Sequence, residues 1–308
     1  AEIFRRFADE QIMPVAEAIH RHDDDIPQDL IDGVAALGCF GLSINQQYGG
    51  SASGGEDDYL AMVIATEELS RGSLGAGGSL ITRPEILARA LEAGGTDAQK
   101  TKWLPKLASG ESLCAVAVTE PDFGSDVASL SVTATPTVGG WLLNGTKTWC
   151  TFAGRATVLM VLARTNNDAG VGHRGLSLLL VEKPADLGHT FHHELDGGTM
   201  GGRAIPTLGY RGMHSFTLAI DNLWVPHENL VGGDEGINKG FFLQMGGFAA
   251  GRLQTGGRAC GVAQASLEKA CQYVQQRSQF GTALADFQLT QYKIGRMAAL
   301  IAAARPAG

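Results

Sequence analysis

The chain has 308 residues, 44% apolar and 18% charged, which suits a large core over roughly two or three domains and excludes a disordered protein. A net charge of −8 disfavours a nucleic-acid groove, which needs a basic face. No apolar run approaches the ~20 residues of a membrane span, and no signal-peptide pattern is visible.

Residues 1–113 read as a helical N-terminal domain. "FADEQIMPVAEAIHRH" and "DLIDGVAALGCFGL" carry apolar residues three and four apart, and "DDDIPQ" and "GGTDAQ" mark the joints. Asp23–Asp25 and Asp97 suit helix starts.

The period changes over residues 114–228. "SVTATPTV", "WLLNGTKTWC", "ATVLMVLART", "GLSLLLVEK" and "FTLAIDNLWV" are strand-length runs separated by turn signals such as Gly139-Gly140 and "DGGTMGG". None is followed by a helical pattern, which disfavours a parallel Rossmann sheet and predicts an antiparallel, β-barrel-like middle domain. Helical spacing returns in residues 229–308. Ala259, Val262, Ala263, Ser266, Leu267, Ala270, Tyr273 and Val274 form one stripe there. Gly246, Gly247, Gly251, Gly256, Gly257 and Gly261 precede or interrupt it. Each costs about 0.5–1 kcal/mol in a helix relative to Ala, which suggests close approach of another helix or of a ligand. The predicted class is therefore mainly α with a central antiparallel β domain, ending in an incomplete helical bundle. The sequence starts inside a helical pattern without Met and stops just after another, so it reads as clipped at both ends.

The five cysteines form no CxxC pair and the eight histidines no HExxH. The thiols read as reduced, in a cytoplasmic protein, and no metal site is predicted. There is no GxxxxGK[ST] loop and no GxSxG elbow, and "GAGGSL" lacks the last glycine of GxGxxG. "AVTEPDFGSD" (117–126), at the helix-to-strand junction, reads either as an ordinary Pro-Gly turn or as a strand end offering polar groups to a ring edge.

That stretch resembles the first motif of the acyl-CoA dehydrogenase family. "GTKTWCT" (145–151) and "RSQFG" (277–281) resemble the next two, in order, and "EELSRG", "LGYRGM" and "GFFLQMGGFAAGR" agree. The resemblance spans nearly the whole chain and implies an FAD-dependent flavoprotein that removes two hydrogens from an acyl-CoA thioester. By motif match, Val116, Ala117, Val118 and Thr119 would line the pyrimidine edge of the flavin. Trp149 and Cys150 would lie at the ring, and Thr151 near N5. A rigid indole suits the covered face of a ring that receives hydride on the other. Arg277, Gln279, Phe287 and Gln288 would reach FAD held by a neighbouring subunit; a guanidinium offers two parallel bonds to phosphate. Gln279 stands where many relatives carry a small hydroxyl residue. Ser125 would meet the CoA tail, while Gly251 and Arg252 would face the acyl thioester.

The family's reaction needs a carboxylate base for the α proton and hydrogen bonds to the thioester oxygen. One family position for the base immediately precedes the helix arginine and is Gly251 here, which cannot act. The other falls beyond Gly308, so the base is expected there, and Glu120 is read as structural. "SRGSLGAGGSLITRPEI", "GGRAIPTLGYRGM" and "GRLQTGGRACGVAQ" resemble methylsuccinyl-CoA dehydrogenases within the family. This implies a short branched acyl chain with a second carboxylate. Arg83 is then either its partner or a surface charge. The resemblance further implies a homo-oligomer, dimer or tetramer, with electron-transfer flavoprotein as acceptor. An acyl-CoA oxidase, a catalytically inactive binding protein and a nucleic-acid-binding flavoprotein of the same fold remain alternatives, the last opposed by the charge.

Overall fold

The protein is described by a computed structural model covering residues 1–168 and 170–305. Gly308, beyond which the base is expected, lies outside the described residues. The chain opens with α1 (Glu2–Phe7), a π-helical turn (Ala8–Ile12), α2 (Met13–His22) and α3 (Gln28–Ala36). Then follow α4 (Glu56–Gly72), α5 (Thr82–Gly94) and α6 (Asp97–Ser109). Asp23–Asp25 do not start α3, whose N-cap is Pro27; Asp23 closes α2 in a left-handed conformation with φ 58°. The cap of α6 is Thr96 rather than Asp97. Its hydroxyl accepts from Gln99 N while the Gln99 side chain accepts from Thr96 N, a reciprocal pair that satisfies two free donors.

The strands are β1 (Cys114–Ala117), β2 (Thr133–Thr137), β3 (Gly140–Thr151), β4 (Val158–Arg164), β5 (Leu176–Glu182), β6 (Thr190–Leu195), β7 (Gly198–Ala204) and β8 (Ser215–Pro226). They form one sheet in the order β1-β4-β2-β3-β8-β7-β6, with β5 on β4. Pairing is antiparallel except where β1 runs parallel to β4 and β2 touches β4 at Thr133 and Arg164. The unbroken apolar run of β4 has a direct cause. Leu159, Val161 and Ala163 enter the core within the curled sheet, while Val158, Met160 and Leu162 enter the core shared with α5 and α6. Alternate residues of a strand face opposite sides, and here both sides are dry.

Two helices complete the chain: α7 (Gly240–Gln276) and α8 (Gln288–Ala304), joined through a hairpin of β9 (Ser278–Gln279) and β10 (Thr282–Ala283). The buried face of α7 is not the apolar stripe read from sequence. Val262 and Tyr273 of that stripe are exposed, whereas Gln244, Gly247, Ala250, Gln254, Gly257, Cys260 and Gly261 are buried. This face packs on α4 and α5. The reason is proximity of backbones: a Cβ on Gly261 would stand 2.1 Å from the Glu67 carbonyl oxygen, and one on Gly247 2.7 Å from that of Ile86. Close packing without side chains outweighs a larger apolar stripe, of which Val262 and Tyr273 stay exposed.

Gly261→Ala is accordingly expected to destabilise the protein by about 1–3 kcal/mol, despite the better helix propensity of Ala. Urea denaturation reads this directly, and a stabilised variant would contradict the packing account.

Candidate functional site

Glu120 and Lys147 organise the meeting of the first two motifs. The Lys147 ammonium lies 2.8 Å from Glu120 Oε1 and donates to the Val118 carbonyl at 2.9 Å, with both charged side chains buried. Glu120 also accepts from Ser131 N (2.7 Å), Ser131 Oγ (2.6 Å) and Val132 N (2.9 Å). Burial alone would raise the Glu120 carboxyl, but the Lys147 charge and these donors outweigh it and hold it below its ordinary value. Thr148 N donates to the Thr119 carbonyl at 2.8 Å, so the turn after β1 is stitched to β3 through Lys147 and its neighbour Thr148.

Just past that stitch, β3 and β8 shift register between Lys147 and Cys150. Trp149 takes a positive φ of 56° there, and Phe152 one of 70°. A bulky residue is strained in this region. The bulge turns the Trp149 indole outward, 56% exposed, while Cys150 stays in the core. Thr151 follows with its hydroxyl 2.8 Å from Ser215 Oγ.

The indole forms part of a cavity of about 310 Å³ between the sheet and the helices. Val116, Val118, Thr119, Trp149 and Thr151 line it from the sheet, Arg83 and Ile86 from α5, and Phe248, Gly251, Arg252 and Arg258 from α7. Eight site residues read from the sequence therefore converge: Val116, Val118, Thr119, Trp149, Thr151, Arg83, Gly251 and Arg252. Ala117 and Cys150 are packed in the sheet core and offer the cavity no side chain. Ser125 is exposed on the turn, outside the lining. Arg277 caps the end of α7, Gln279 lies on β9, and Phe287 and Gln288 stand at the start of α8, all outside the cavity lining.

The sequence reading missed Arg258 and Tyr210. Arg258 donates to Tyr210 Oη (3.1 Å) and Ser79 Oγ (3.1 Å); Arg83 donates to the same Tyr210 Oη (3.1 Å) and to the Ser79 carbonyl (3.2 Å). No carboxylate among the described residues pairs with either guanidinium. Burial opposes ionisation of the Tyr210 phenol, yet the two guanidiniums outweigh it and lower its pKa. Burial, and then the Arg83 charge, lower that of Arg258, an uncommon direction for arginine. The available signal was periodicity: Phe248, Gly251, Thr255 and Arg258 recur at helical spacing and share one face of α7.

Three acyl-CoA dehydrogenase family models match the chain: the N-terminal domain over residues 1–111, the middle domain over 115–223 and the C-terminal domain over 238–307. A (2S)-methylsuccinyl-CoA dehydrogenase of Cereibacter sphaeroides is 44% identical over 302 residues, which is 98% of this chain but 53% of the relative. The chain thus spans about half the length of that protein. A solved glutaryl-coenzyme A dehydrogenase in complex with glutaryl-CoA superimposes with a TM-score of 0.88 at 33% identity, over 99% of this chain and 72% of the other. A glutaryl-CoA dehydrogenase from Mycobacterium smegmatis, solved with FADH2, gives a TM-score of 0.83 at 27% identity over 98% and 71%.

Glu120→Gln should cost about 3–5 kcal/mol, because it leaves the Lys147 charge buried without its counterion. The pair also fixes a pH sign. Since the folded carboxyl titrates below its ordinary 4.5, its contribution is complete above that pH and is lost as pH falls through the lower folded value. Denaturation curves of wild type and variant should therefore converge on acidification; a constant gap would contradict the assignment. Motif order, sheet topology and cavity agree with these matches: the chain belongs to the acyl-CoA dehydrogenase family.

Proposed function

We propose that this chain carries the flavin and acyl-CoA sites of an FAD-dependent dehydrogenase acting on a short, branched acyl-CoA with a distal carboxylate, of the methylsuccinyl-CoA type. The observation that carries the proposal is the pair of guanidiniums at the cavity, Arg83 and Arg258, joined through Tyr210 Oη and lacking an acidic partner among the described residues. A partly buried cation without a counterion is costly, and a substrate carboxylate would supply one.

The cavity also suits FAD. Trp149 presents a flat apolar face, held out by a bulge fixed at both flanks, and Thr151 presents a hydroxyl beside it. Val118 and Thr119 bring their strand-end backbone to the same wall. FAD, when bound, would supply the two-electron acceptor for the β hydrogen. The residues of this chain would cover the ring, exclude water and orient the acyl group beside Gly251. A Cβ there would meet only Ile86, with its Cδ1 at 3.3 Å. Ser125 would contact the CoA tail from the exposed turn, and Arg252 would serve the thioester side. Arg277, Gln279, Phe287 and Gln288 would serve a neighbouring subunit's FAD. Exposed Phe280, Leu289 and Tyr292 on the same segment support association into a dimer or tetramer. The base that takes the α proton is assigned to a carboxylate beyond Gly308. Electron-transfer flavoprotein is the acceptor we assign, and the cytoplasm the compartment. No helix among the described residues is long and apolar enough to cross a membrane.

In the native protein, Arg83→Ala and Arg258→Ala should each lower kcat/KM for methylsuccinyl-CoA by about 10–100-fold, the loss of one charged hydrogen-bonding partner. Butyryl-CoA should be far less affected. An unchanged ratio of the two substrates in both variants would refute the carboxylate assignment. A colourless purified protein that gains no flavin spectrum on adding FAD would refute the flavin assignment.

A further inference from the structure

Away from the cavity, three segments distant in sequence bring two imidazoles and a carboxylate together. His189 immediately precedes β6, His214 immediately precedes β8, and Asp23 closes α2. The two Nε2 atoms lie 3.2 Å apart. His214 Nε2 lies 3.3 Å from Asp23 Oδ1, and His189 Nε2 lies 3.4 Å from Asp23 Oδ2. These separations have a chemical meaning. Zinc bonds imidazole nitrogen and carboxylate oxygen at about 2.0–2.2 Å, and neighbouring ligands of a tetrahedron then stand about 3.3–3.5 Å apart. The two nitrogens already stand at the spacing of neighbouring tetrahedral ligands, and one oxygen of the Asp23 carboxylate lies beside each, so a small turn of that carboxylate would complete a third corner and leave the fourth for water.

The surroundings supply what a zinc-binding imidazole ordinarily needs. His214 Nδ1 lies 3.1 Å from Asp25 Oδ1, and Asp25 is itself held by the Gly188 amide. A carboxylate at Nδ1 keeps the proton there and leaves the Nε2 lone pair free. The His214 side chain is 7% exposed, whereas those of His189 and Asp23 are 48% and 40% exposed, so the face is open to an entering ion. Two things oppose binding: Arg211 Nε lies 3.6 Å from Asp23 Oδ1 and competes for the same carboxylate, and the protonated His214 that the two carboxylates favour must give up its Nε2 proton to the entering ion.

We propose that Asp23, His189 and His214 form a binding site for a zinc-class divalent cation, with Asp25 orienting His214. The cation would pin the end of α2 to the starts of two sheet strands. It would act next to the cavity, because Ser215, adjacent to His214, holds the Thr151 hydroxyl. The site is independent of the acyl-CoA reading.

Zinc titration of the purified holoprotein tests this, with bound metal counted after equilibrium dialysis and Tm followed in parallel. Wild type should bind one more zinc ion per chain than His189→Gln, whose side chain is exposed enough to be replaced without loss of folding. Zinc should raise the wild-type Tm, since it binds the folded state, and the rise should vanish in His189→Gln. Asp25→Asn should weaken binding by about 10–100-fold, as loss of an orienting carboxylate does. Equal zinc binding by wild type and His189→Gln would overturn the site. Unchanged affinity in Asp25→Asn would overturn the orienting role.

Discussion

The ion pair of Glu120 with Lys147 joins the turn after the first strand to the long strand β3. An ammonium and a carboxylate cannot both be buried unless each is fully partnered. That requirement fixes the turn after β1 through the Val118 carbonyl and fixes Ser131 and Val132 through their amides. With the turn held, Thr119 and Thr148 bond across the gap. The next residues of β3 then bulge, and Trp149 is driven into a conformation a free chain would avoid. Much of the cavity wall follows from one desolvated charge pair. Glu120, read from the sequence as structural, has its carboxylate taken up by these donors.

Helix α7 carries the other wall, and its two jobs need different residues on adjacent faces. Glycines at 247 and 261 let it approach the neighbouring helix backbones, while Phe248, Gly251, Arg252 and Arg258 turn toward the cavity. The helix is further tied down by Arg71 of α4, which bonds Glu268 at 2.9 Å and also Asp9 near the start of the chain. The Arg71 side chain is 7% exposed while Asp9 and Glu268 are 46% and 35% exposed, so the junction is buried at its guanidinium and open at its carboxylates. Arg5 adds a two-pronged contact to Glu68 at 2.9 and 3.0 Å. Close packing on one face and fixed charges at the flanks leave little freedom in where the arginines of the cavity face point.

The junction of α2 with the sheet shows how similar chemistry works at lower burial. Asp23 and Asp25 have the composition of a helix start, yet both carboxylates turn to histidines from the far side of the domain boundary. Burial lowers the His214 pKa, but the two carboxylates outweigh it and raise it. The competition between local capping and long-range charge was won by charge, because α3 starts at Gln28 after Pro27 and leaves these acids free.

Sequence alone determined the order of helices, strands and helices, since periods of 3.6 and 2 are local properties of the chain. It also determined the family, through three motifs in order, and with it Val118, Thr119, Trp149 and Thr151 as a set. Tertiary structure decided which face of α7 is buried, because a stripe of apolar residues does not say which partner covers it. It decided that Ala117 and Cys150 face the core, the latter because the register shift between Lys147 and Cys150 sets which side chains of β3 turn outward. It paired Arg83 with Arg258 through Tyr210, and Asp23 with His189 and His214. These groups are separated by up to 191 residues, and no periodicity or local spacing encodes a meeting that only the packing of distant elements creates.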